Sequence, residues 1–96
     1  MERSVADETL SLQFSRIQEA WEMVLGELRA EMSRALFETW VQPLRPVSFQ
    51  KSVFTLGAIN TFGRAWVEER LSARIAQLLT GFYGEAVTVK VMIVNS

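Results

Sequence analysis

Three groups of side chains in this sequence have types and spacings that could do chemistry. The adjacent carboxylates Glu68 and Glu69 could share acid/base work, and the segment GFYG at 81–84 matches the GxxG spacing of a nucleotide-clamping loop. Arg64, Arg70 and Arg74 surround the aromatics Phe62 and Trp66, a mixture able to stack bases and touch phosphates. The first two readings weaken on inspection. Neighbouring residues on a helix point in diverging directions, so Glu68 and Glu69 read as a solvated face. The central residues of GFYG are Phe82 and Tyr83, not basic groups, and the segment reads as a helix C-cap and turn. The arginines survive as a weak nucleic-acid surface, interleaved with the same two glutamates.

Composition removes many other activities. The 96 residues include neither histidine nor cysteine, so the common zinc sites, thiol nucleophiles, Ser-His-Asp triads and disulfides are impossible. There is no GxGxxG and no glycine-rich run ending in Lys-Ser or Lys-Thr. No metal or cofactor is expected, and no enzyme. Ten Lys plus Arg against eleven Asp plus Glu leave a net charge of -1, which disfavours tight binding to phosphates. No apolar run approaches a membrane span and the first residues lack a signal-peptide core, so a cytoplasmic protein without membrane contact is expected. With 49% hydrophobic residues, a single compact domain can form.

The elements that must position these residues follow from periodicity. Leu10, Phe14, Ile17, Trp21, Val24, Leu25, Leu28 and Met32 fall on one stripe of a first helix, whose N-cap could be Asp7, Ser11 or Ser15. Ser33 can cap a second helix with Leu36, Phe37, Trp40, Val41 and Leu44 on its apolar side, ended by Pro43 and Pro46. Residues 46–49 and 53–58 read as a β-hairpin. Asn60 can cap a third helix reaching Gly81 or Gly84, with Val67, Leu71, Ile75, Leu78, Leu79 and Phe82 as its stripe. Residues 86–94 alternate as a closing strand, with Val87, Val89, Val91 and Ile93 on one face. This predicts an α+β fold of order α-α-β-β-α-β, its three-stranded sheet packed on helices. Residues 1–16 form an N-terminal extension, partly disordered or the start of the first helix, and 17–96 the domain.

Phe62 and Trp66 stand out against this frame. In a continuous helix they project more than about 140° from the stripe. Either the helix breaks near Glu69 and both rings turn inward, or at least one stands on the surface as an anchor for another protein. Trp21, central in its stripe, is either core or part of a surface that pairs with a second copy.

The pattern Trp21-x-x-x-Leu25-x-x-Leu28, then Phe37-Glu38-Thr39-Trp40-Val41 with Pro43 and Leu44, then Ala58-x-Asn60-x-Phe62 with Trp66-Val67 and a valine-rich strand, resembles the N-terminal domain (domain I) of DnaA, the bacterial chromosomal replication initiator. The resemblance spans roughly Ile17 to Val94. It implies a KH-like fold and a non-catalytic interaction domain in DNA replication initiation. Its implied partners are itself, as a weak homo-oligomer, the replicative helicase, initiation regulators and, weakly, single-stranded DNA. Through it Trp21 is assigned to self-association, and Asn60 and Phe62 with neighbouring Leu36 to partner binding. Arg64 and Arg70 remain the weak nucleic-acid residues. Leu36 stands where some members carry an acidic residue, and Ile59 where a proline is usual. The competing expectation is a small free-standing KH-like protein that binds single-stranded nucleic acid.

Overall fold

A computed structural model of the chain describes residues 5–94, with side chains from residue 12 onward. Helix α1 spans Val5–Glu31 and buries Ile17, Ala20, Trp21, Val24 and Leu28 along the anticipated stripe. Asp7, Ser11 and Ser15 all lie inside it, so none is its cap, and it crosses residues 16 and 17 unbroken. The fate of residues 1–4 lies outside the described residues.

Ser33 caps the second helical run as expected, its hydroxyl accepting from the Leu36 N–H at 3.2 Å. That run starts as a short helix α2, Arg34–Leu36, and widens into a π-helical turn over Phe37–Val41, closed by the Gln42 N–H donating to the Phe37 carbonyl at 2.9 Å. The wide turn buries Phe37 and Val41 together while leaving Trp40 half-exposed. Leu36, expected on the apolar side, is exposed instead.

The hairpin strands are β1, Arg45–Gln50, and β2, Val53–Ala58, joined by Lys51 and Ser52. Both turn residues adopt positive φ, 50° and 64°, which suits the right-handed twist of the strands. Strand β3, Thr88–Ile93, is shorter than expected and lies parallel to β2, which it pairs from Val53↔Thr88 to Ala58↔Ile93. Val87 falls just outside it, its N–H held by the Thr80 hydroxyl at 3.0 Å. The sheet order β1-β2-β3 makes β2 the centre. One face carries Phe54 and Leu56 into the helices, both fully buried.

The third helix is two helices. Helix α3, Thr61–Arg70, and helix α4, Ser72–Tyr83, meet at Leu71, whose backbone departs to φ −121°, ψ −21°. The Ser72 hydroxyl donates to the Glu68 carbonyl at 2.6 Å, and a side chain inserted into the helical ladder in this way bends it. Val67, Leu71, Ile75 and Leu79 are buried across the bend. Gly84, at φ 72°, is the left-handed cap that ends α4, as GFYG was read. The α+β, KH-like order holds, with the third helix divided. Among the described residues, no helix is long and apolar enough to cross a membrane.

Candidate functional site

The start of α3 is built on Asn60. Its backbone is extended, φ −155° and ψ 173°, and its side-chain Oδ1 accepts from the Gly63 N–H at 2.8 Å. The cap survives with Ile59 before it, because capping needs only the asparagine oxygen and an extended backbone. This geometry turns Phe62 outward: it is 80% exposed, and Ile59 beside it is 61% exposed. Trp66, one turn on, folds half-inward and stacks on Trp40, the ring centroids 4.9 Å apart and the planes within 6°. The two alternatives for this helix are therefore both met in part. The chain bends, two residues beyond Glu69, yet one ring still faces solvent.

Between the π-helical turn and the start of α3 lies a hollow of about 370 Å³. Trp40, Pro43, Ile59, Asn60 and Phe62 wall it, and Ala58 and Gly63 contribute almost no side chain. Leu36, 45% exposed, lies four residues before Trp40 in the chain and outside the lining. Asn60 and Phe62 are thus brought together, whereas Leu36 is exposed but does not line the hollow.

The arginines do not assemble a free basic surface. Arg64 reaches Glu68 at 3.8 Å, and the Arg70 guanidinium stands 5.6 Å from the centre of the Trp66 ring. Arg74 is elsewhere, bridging to Glu31 at the end of α1 and to Gln77. The hydrogen bond to Arg74 is the main cause that holds the Glu31 carboxyl below its usual range, and the same bond raises the Arg74 guanidinium. Arg34 is paired with Glu38 at 2.9 Å.

Trp21 is 3% exposed and lies 6.4 Å from Phe54 between ring centres, nearly parallel. It is core, and it also lines a second, larger hollow of about 770 Å³ between α1, the π-helical turn and the start of β1. On the N-terminal half of α1, Leu12 is 71% and Phe14 62% exposed. Sequence periodicity puts Phe14 on the core stripe, whereas the core along α1 begins only at Ile17.

A small α+β domain with a capped, aromatic-bearing third helix is the class these features define. The sequence model of the DnaA N-terminal domain matches residues 18–81, and the chain belongs to that family. It is 33% identical over 76 residues to the chromosomal replication initiator protein DnaA of Ralstonia pickettii (strain 12J), covering 77% of this chain and 14% of that protein. With the DnaA of Gloeobacter violaceus (strain ATCC 29082 / PCC 7421) it shares 32% identity over 57 residues, 59% of this chain and 13% of the relative. The chain therefore spans only a small part of the length of these relatives.

Proposed function

We propose that this chain serves a DnaA-type replication initiator as a cytoplasmic, non-catalytic interaction module, formed by residues 17–96 with an N-terminal helical extension. It docks the replicative helicase or an initiation regulator on the surface made by Asn60, Phe62 and Leu36. The observation that carries this reading is the exposure of Phe62 at the mouth of an apolar hollow. A large ring left in water beside such a hollow is the anchor geometry of protein interfaces.

Self-association belongs to α1. Trp21 supports it from the core by fixing the helix, and the exposed Leu12 and Phe14 offer the contact area. Single-stranded DNA meets Arg64 and Arg70 only weakly, since one is engaged by a carboxylate and the other by a ring.

Phe62→Ala is the direct test. Capture of the helicase should weaken by about 2 kcal/mol or more, while thermal stability changes by no more than about 0.5 kcal/mol, the usual range for exposed positions. Unchanged capture, or a loss of several kcal/mol in stability, overturns the assignment. For α1, replacing Leu12 and Phe14 with serine should shift sedimentation toward monomer at unaltered melting temperature.

A further inference from the structure

The hollow beside Phe62 specifies the chemistry of what fills it. None of its lining residues is charged: Thr39, Asn60 and Gly63 are its polar or smallest members, and Trp40, Ile59 and Phe62 dominate the rest. The nearby ions are already engaged, Arg34 with Glu38 and Arg64 with Glu68. A charged group seated against this lining would give up part of its water and meet no charged residue in the lining, an unfavourable exchange. At the start of α3, the Gly63 N–H in the lining is taken by Asn60 Oδ1. The same bond leaves the Asn60 amide nitrogen as a donor with both hydrogens free of that cap.

Two positions in the lining are small, and a methyl placed at Gly63 would meet Asn60 Oδ1 at 3.4 Å and the Ala58 Cβ at 3.9 Å, both ordinary contacts. Its volume lies near the lower end of the roughly 300–1,000 Å³ range of ligand pockets, room for a large side chain and its flanking backbone.

Resting on the docking surface proposed above, we infer that this hollow is an anchor pocket for one uncharged apolar side chain on a short segment of another protein. The Asn60 amide donates to a backbone carbonyl of that segment. Specificity comes from exclusion of charge, so binding at this pocket is insensitive to ionic strength.

The test uses blocked pentapeptides, acetyl-Gly-Ser-X-Ser-Gly-amide, with X as Leu, Phe, Glu or Lys, titrated into the chain while the Gly63 amide and the Trp40 indole are followed by NMR. The Leu and Phe peptides should give saturable shifts at both groups, with the same midpoint at low and high salt. The Glu and Lys peptides should bind about tenfold more weakly or worse. Ile59→Asp should weaken the Leu peptide by a similar factor, favour the Lys peptide and leave the melting temperature and sedimentation unchanged, while Ile59→Val keeps the original preference. No saturable shift with any apolar peptide, equal shifts with charged ones, or a midpoint that moves with salt overturns the inference. So does a fall to monomer in Ile59→Asp, which would make the occupant a second copy. If the peptides fail while Phe62→Ala still abolishes helicase capture, the docking surface stands and only its chemistry falls. If the peptides bind and Phe62→Ala leaves capture intact, the reverse holds.

Discussion

Two hollows flank the π-helical turn, and they differ in what rims them. The larger, against α1, has Trp21, Leu25 and Phe37 in its floor but Glu22, Arg29, Arg34, Glu38 and Arg45 around it. The smaller, against α3, has no charged residue in its lining. Size favours the first and chemistry the second, since a partner entering the larger hollow must displace water from several ions. Four of those ions are engaged within the chain: Arg34 pairs with Glu38, Arg29 stands 4.9 Å from the centre of the Phe37 ring, and Arg45 donates to the carbonyls of Gln42 and Leu44, both at 3.1 Å. The larger hollow is a seam between elements, whereas the smaller one ends at an exposed anchor.

The strongest way to break this contrast is Trp21→Ala. If the floor of the larger hollow is core, the substitution should cost about 3 to 5 kcal/mol in chemical denaturation, as loss of a buried aromatic does. A cost below about 1 kcal/mol would make Trp21 a surface residue and the larger hollow a site. Arg45→Ala comes next. It removes two hydrogen bonds holding the end of the turn that divides the hollows, and should destabilise by about 1 kcal/mol.

A smaller effect of opposite sign probes the cost of a buried polar group, on which the argument from neutrality depends. The Tyr83 hydroxyl is buried without a hydrogen-bond partner among the described residues, and burial pushes its pKa upward against the opposing field of Arg16. Tyr83→Phe should raise stability by up to about 1 kcal/mol; a loss would show that the hydroxyl has a partner.

The smallest effect concerns Glu31. Its carboxyl is held below the ordinary glutamate range in the folded chain by the hydrogen bond from Arg74, so the pairing stabilises above the unfolded pKa and is lost as pH falls through the folded one. Glu31→Gln should therefore lower the melting temperature slightly at neutral pH and converge with the parent in acid. Parallel stability profiles across that window would remove the pairing from the fold's energetics.

What the sequence disclosed and what it hid follow from the range of the interactions. The α1 stripe from Ile17 onward, the Ser33 and Asn60 caps, the hairpin and the alternation of β3 depend on neighbours a few residues apart, and all were legible; Phe14 was misplaced on that stripe, and the Leu10 side chain lies outside the described residues. The bend at Leu71 has no glycine or proline to mark it, and showed only as the phase conflict of Phe62 and Trp66 with the stripe from Val67 to Phe82. The π-helical turn left no trace, because Phe37 and Val41 are four apart in an ordinary helix as well. The hollow was invisible for another reason. It is an absence of volume at Ala58 and Gly63 bounded by Trp40 and Pro43, which only the folded chain brings together. Phe62 was reachable as a surface candidate by period alone, but its pocket was not.

The parallel pairing of β3 with β2 has a kinetic consequence. Hairpin partners such as Gln50 and Val53 are close along the chain, whereas Val53 and Thr88 must find each other across the whole of α3 and α4. Closing that loop is unfavourable until the strand docks, so β3 contributes the slow, long-range part of an otherwise local topology. Until it arrives, β2 presents an open edge, and the newly synthesised chain is most exposed to wrong strand partners in that interval.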